Sequence, residues 1–129
     1  MPAPTDRKYA KSHEWALEEN GMITVGLTDV AIAHLSDLVF VELPAVGKEV
    51  TQGEAFGEIE SVKAVSDLVS PVTGVVEEVH EEISDQLDVL SEDPFGKGWM
   101  IKVRPTGDSG MDALLDAAAY DQHAASEDA

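Results

Sequence analysis

The sequence predicts a mainly β fold, and three features point to it. Trp15-Ala16-Leu17 and Ile23-Thr24-Val25 flank Glu19-Asn20-Gly21, and Asn-Gly between two such runs is a strong hairpin signal. The run DLVFVEL over 37–43 is rich in β-branched and aromatic residues and is closed by Pro44. From Val46 onward, Gly47, Gly53, Gly57, Pro71 and Gly74 punctuate the chain at short intervals. Val50, Phe56, Ile59 and Val62 lie between these breaks, and Val72, Val75, Val76 and Val79 come later. Two glycine-punctuated arms thus flank Lys63 as a weak pseudo-repeat, too short for a solenoid.

The remaining elements follow in order. Thr28 can cap a short helix over 28–35, in which Ala31, Ile32 and Leu35 share a face. The 57–71 segment is ambiguous, because Val62, Val65, Leu68 and Val69 also fit one face of a helix. Val62-Lys63 is a poor two-residue hairpin turn, since primed turns favour Gly or Asn. Its β-branched content and the bracketing Gly57 and Pro71 lean the reading towards strand. Asp93-Pro94-Phe95-Gly96-Lys97-Gly98 is a loop, and 99–104 is a strand ending at Pro105. Met111, Leu114, Leu115 and Ala118 recur at helical spacing with Ser109 or Asp112 near the start, and the tail from Asp121 is expected to fray.

A chain of 129 residues fits one domain (1–129) with one modest core. Its 26 Asp and Glu against 8 Lys and Arg give a net charge of -18. That balance argues against nucleic acid and against anionic membrane surfaces. It suits basic patches on protein partners, and it also serves solubility through self-repulsion. No apolar run is long enough to span a membrane and the first residues hold no signal-peptide core, so a cytoplasmic protein is expected. With no cysteine, thiol chemistry has to come from an added group.

Candidate catalytic motifs fail one after another. His13, His34, His80 and His123 are scattered, with none paired at ligand spacing, so surface or capping roles are expected and no metal site. There is no Gly-x-Ser-x-Gly elbow and no phosphate-binding glycine loop. Ser12-His13-Glu14 resembles triad material, but adjacent residues of a strand face opposite ways. Lys63 is left. It is the only Lys or Arg between Lys48 and Lys97, a stretch holding thirteen Asp and Glu. A plain surface lysine is one reading. The other is an attachment point, where acylation removes the charge and the turn holds out a prosthetic group.

Glu60-Ser61-Val62-Lys63-Ala64 resembles the lipoyl-lysine motif of the glycine cleavage system H proteins. Tyr9-Ala10-Lys11-Ser12-His13-Glu14-Trp15, Val25-Gly26-Leu27-Thr28-Asp29 and Val39-Phe40-Val41-Glu42-Leu43-Pro44 are similar to the family's earlier blocks. Ser66-Asp67, Ser70-Pro71-Val72-Thr73-Gly74 and 93–99 continue the resemblance in order, and Leu114-Leu115-Asp116 with Ala119-Tyr120 are similar to its C-terminal helix. His80 and Ser91 stand where the family usually has Asn, Ser36 where it usually has Gly, and 85–88 lacks a common proline.

The resemblance implies a β-sandwich or barrel-sandwich hybrid with short peripheral helices and Lys63 at a hairpin tip. It implies lipoate as an amide on Lys63, with Glu60, Ser61, Val62 and Ala64 as the context read by a lipoate-attaching enzyme. The arm would carry an aminomethyl group from a pyridoxal-phosphate glycine decarboxylase to a tetrahydrofolate-dependent aminomethyltransferase. Its dithiol would be reoxidised by dihydrolipoyl dehydrogenase. Ser12, Glu14 and Asp67 would line the cleft receiving the loaded arm. The protein, expected to be a monomer, would be a non-catalytic carrier. A lipoyl donor in protein lipoylation, a lipoyl or biotinyl domain of another complex, and an unmodified binding module are the alternatives.

Overall fold

The computed structural model describes residues 4–35, 37–107 and 110–128; the Ser36 and Ser109 positions noted above lie outside them. Among the described residues nine strands form two antiparallel sheets. β1 (Lys8–Tyr9), β2 (Glu14–Glu19), β3 (Met22–Leu27), β5 (Glu49–Val50), β8 (Gly74–Val79) and β9 (Ile101–Pro105) make a six-stranded sheet ordered β1-β2-β3-β9-β8-β5. β4 (Leu38–Glu42), β6 (Ala55–Ser61) and β7 (Val65–Val69) make a three-stranded sheet ordered β4-β6-β7. They are accompanied by the α-helices α1 (Asp29–Leu35), α2 (Asp88–Glu92) and α3 (Ala117–Asp128). No helix among the described residues is long and apolar enough to cross a membrane.

Local chemistry accounts for the first elements. Asn20 and Gly21 take positive φ, 53° and 78°, as a tight turn between β2 and β3 requires. The register pairs Glu14 with Leu27 through Glu19 with Met22. Thr28 caps α1, its Oγ1 accepting the Ala31 N–H at 3.3 Å.

One apolar cluster fills the space between the sheets. Ile23, Val25, Val76, Ile101 and Val103 come from the larger sheet, and Val41, Phe56, Ile59 and Leu68 from the smaller. At Val41-Glu42 and Glu58-Ile59 the strands alternate, so Glu42 and Glu58 face solvent while Val41 and Ile59 face the core. A second cluster of Tyr9, Trp15, Ala117, Tyr120 and Ala124 seats α3. Trp15 donates its indole N–H to the Leu27 and Pro94 carbonyls, both at 3.0 Å, and the Arg7 guanidinium lies 4.6 Å above its ring.

The C-terminal expectation is corrected. The spacing of Met111, Leu114, Leu115 and Ala118 belongs to no single helix. A short 3-10 turn covers Met111–Ala113, Leu114 is extended, and Leu115 pairs with Tyr9 by two backbone hydrogen bonds of 2.8 and 2.7 Å. That pairing holds the chain extended until Asp116, which caps α3 by accepting the Ala119 N–H at 2.8 Å. From Asp121, where fraying was expected, the backbone is helical to Asp128.

Gly57 decides how closely β4 approaches β6. A Cβ there would lie 2.2 Å from the Glu42 carbonyl oxygen, which as backbone cannot swing aside. Gly57→Ala is therefore expected to lose about 1–3 kcal/mol of stability, read as a lower urea midpoint at unchanged slope. An unchanged midpoint would show that the two strands have slack.

Candidate functional site

Lys63 stands exposed at the turn between β6 and β7. The turn uses no primed geometry: among the described non-glycine residues only His13 and Asn20 have positive φ. Ser61 supplies what Asn or Gly would otherwise provide. Its N–H donates to the Ala64 carbonyl at 2.8 Å, and its side-chain Oγ accepts the Ala64 N–H at 3.2 Å. The Val62 N–H donates to the Asp37 carbonyl at 3.1 Å, tying the tip to the start of β4. Val62 and Lys63 are thus held as a turn, and the hairpin reading holds over the helical one.

The three residues expected to form an arm cleft are brought together. Ser12, Glu14 and Asp67 line one cleft between the sheets, with Leu27, Ile59 and Leu68 among its apolar walls. They are not equivalent. Glu14 is 1% exposed and forms the floor. Ser12 Oγ–H donates a short hydrogen bond to Glu14 Oε1, and the Val69 N–H donates to Oε2 at 3.0 Å. Asp67 is exposed, pairs in register with Glu58, and shares a second, outer groove with Glu42 and Glu58. It is a rim residue.

Burial pushes the Glu14 carboxyl up to about 7, against the two hydrogen bonds that favour its charged form. A site that desolvates a carboxyl and leaves it facing a cleft is suited to receive a cation, because an ammonium group supplies the missing countercharge.

Sequence reasoning missed His34 and Ser66, which also line the cleft. The histidines are not scattered in space. The His13 ring lies 6.0 Å from that of His34 and 5.8 Å from that of His123. His13 Nδ1 is 2.7 Å from Tyr120 Oη, which is 2.6 Å from Thr28 Oγ1. His13 lies outside β2 with φ of 78°, and it meets Tyr120 while Ser12 meets Glu14, so the three are not arranged as a triad. No sequence spacing could have disclosed this cluster, since α3 closes it from the far end of the chain. Among the described residues no group of three or more His, Asp or Glu is placed to hold a metal. His80 instead stacks on Trp99, with centroids 4.5 Å apart, and its Nδ1 is 2.7 Å from the Trp99 carbonyl oxygen.

Glu14 gives a pH test. Its folded pKa lies above the ordinary value of 4.5, so the native state binds the extra proton between about pH 4.5 and 7. Stability contributed by the neutral acid is complete below that window and lost as pH rises through about 7. Glu14→Gln removes the titration. Relative to the unsubstituted protein it is expected to gain up to about 3 kcal/mol between pH 4.5 and 8. Urea melts at the two pH values check this; an equal difference at both would place no strain on the carboxylate.

The family model described as glycine cleavage H-protein matches residues 7–127. The chain is 49% identical over 122 residues to the mitochondrial glycine cleavage system H protein of Oryza sativa subsp. indica, covering 95% of this chain and 74% of that one. It is 48% identical to the H protein of Anaeromyxobacter sp. (strain K), covering 93% and 94%. The crystal structure of a glycine cleavage system H protein from Mycobacterium marinum superposes with a TM-score of 0.86 at 41% identity, covering 93% of this chain and 97% of that one. The chain belongs to the glycine cleavage H-protein family, the carrier component of the glycine cleavage system.

Proposed function

We propose that Lys63 carries lipoate as an amide, and that this chain shuttles the aminomethyl group of glycine from the decarboxylase to the aminomethyltransferase, then presents the dithiol to dihydrolipoyl dehydrogenase. The observation that carries the reading is one strand long. β7 begins just after Lys63, and Ser66 and Asp67 on it already line the cleft whose floor is Glu14. At a strand's rise per residue they lie on the order of 10 Å along the chain from Lys63. The residues fit the group: an exposed amine on a fixed turn, and an apolar-walled cleft with one buried carboxyl.

Lipoate would supply a strained disulfide open to exchange, the thiol chemistry that a chain without cysteine lacks. The chain's own residues do the rest. Leu27, Ile59 and Leu68 exclude water from the cleft. Ser12 and the Val69 N–H orient the Glu14 carboxylate. Asp67 adds negative charge at the rim, where an arriving cation is first met. Once Lys63 is acylated, no side chain of the protein is required to make or break a covalent bond, so its role in glycine cleavage is carriage; we place it in the cytoplasm and as a monomer as part of the same proposal.

Intact mass of the protein from its native host is expected to show a lipoyl increment that Lys63→Arg abolishes. An increment that survives in Lys63→Arg, or a biotinyl one, would overturn the assignment. In isolated loaded protein, Glu14→Ala is expected to shorten the half-life of the aminomethyl group by tenfold or more. An unchanged half-life would remove Glu14 from the site.

A further inference from the structure

The sheet that carries Lys63 has an outer face that meets the cleft only at the rim residue Asp67. Its register sets two rows across three strands. Phe40, Glu60 and Val65 stand side by side, and the next row is Glu42, Glu58 and Asp67. A bulge between Leu38 and Phe40 turns Val39 outward beside Phe40, leaving them 49% and 48% exposed. Val62 and Val65, at the turn itself, are 74% and 58% exposed. Large exposed apolar side chains are ordinary when scattered. Val62 and Val65 flank the one lysine to be modified, and strand pairing brings Phe40, with Val39 next to it, opposite Glu60 three residues before that lysine, on a sheet whose interior face is already packed.

The second row is as costly as the first. Carboxylates directly opposite one another in a sheet are destabilising. Lys48 reaches the same groove, one cation beside three acids. Neither row serves the fold, and together they form an apolar contact bordered by negative charge.

We propose that this face docks the enzyme that acylates Lys63. The contact would rest on Val39, Phe40, Val62 and Val65, with Lys and Arg of the partner set against Glu42, Glu58 and Asp67. The proposal rests on the lipoyl reading of Lys63. The acylating enzyme is the occupant because of where its chemistry falls. Enzymes acting on the far end of a lipoyl arm can work away from the turn. The acylating enzyme must bring its acyl carbon to Nζ itself, at the end of a stem of four methylenes, so its surface has to lie on the residues around the turn. In the reaction the neutral Nζ amine attacks the carbonyl carbon of a mixed anhydride of lipoate and phosphate. The C–N bond forms, the acyl C–O bond breaks, the phosphate anion leaves, and one Nζ proton goes to solvent. No oxidation takes place.

The test is steady-state lipoylation of the unmodified protein by a purified ATP-dependent lipoate–protein ligase. Phe40→Ser/Val65→Ser is expected to raise KM for the protein about tenfold, with kcat unchanged. Val62→Ser, outside any strand, is expected to raise it about threefold and serves if the double variant folds poorly. Val46→Ser, equally exposed but in the loop before β5, should leave KM unchanged. Added salt should raise KM for the unsubstituted protein more steeply than for Glu42→Gln/Glu58→Gln. KM within twofold in both apolar variants, or a KM indifferent to salt, would overturn the docking proposal alone. So would protection of Phe40 and Val65 only after lipoylation, which would make the face a seat for the arm. Unsubstituted protein that accepts no lipoyl group at Lys63 would overturn the carrier reading and the docking with it.

Discussion

The bond from the Val69 N–H to the Glu14 carboxylate joins the two sheets where they would otherwise part. Glu14 opens β2 in the larger sheet, and Val69 closes β7, an edge strand of the smaller. An edge N–H that finds no strand partner has to be satisfied or exposed. Here a side chain of the opposite sheet takes it. The same contact lies in the cleft, which Ser66, His34 and Ser12 also line. Ser12 spends its hydroxyl on the same carboxyl. A buried acid that receives two hydrogen bonds and is still pushed up to about 7 is short of one thing, a cation. The structural tie and the proposed binding site are thus one group, and whatever neutralises Glu14 in the cleft would also relieve the junction between the sheets.

The other edge of the small sheet is managed differently. β4 carries a bulge and ends in Glu42, two devices that blunt strand-to-strand association. The turn at Lys63 hangs between these edges, braced by Ser61 within itself and by Asp37 from outside. Both braces leave the lysine side chain uncommitted to the fold. A turn of Asn-Gly type would close the hairpin as well, but it would place no apolar side chain beside the amine. Val62 in that position is affordable only because the Ser61 hydroxyl does the work of the turn.

What the sequence disclosed follows the range of the interactions involved. The β2–β3 hairpin was legible because Asn20-Gly21 determines its turn locally. The Thr28 cap and β4 were legible for the same reason. Lys63 stood out by its isolation among acids, and Ser12, Glu14 and Asp67 by resemblance. The start of α3 was misread because Leu115 is held extended by Tyr9, more than a hundred residues earlier, and no local pattern reports that pairing. The His13–Tyr120 contact and the place of His34 in the cleft have the same character. Strand alternation alone put His13 opposite Ser12 and Glu14; the left-handed turn that sends it to Tyr120 precedes β2 and leaves no periodic trace.

Net charge and the apolar outer face belong to one argument. A protein that exposes Val39, Phe40, Val62 and Val65 on one sheet and its turn risks pairing with its own copies through them. A net charge of -18 on 129 residues opposes that encounter, since two copies repel at any approach inside the screening length. The same charge draws a basic partner towards the face and raises its encounter rate. The acids of the Glu42, Glu58 and Asp67 row therefore act in opposite senses on the two classes of partner. They cost the isolated sheet some stability, keep the hairpin free of its own kind, and leave it open to an enzyme of the opposite sign. An uncharged sheet with the same four apolar residues would bind partners without discrimination, its own copies included.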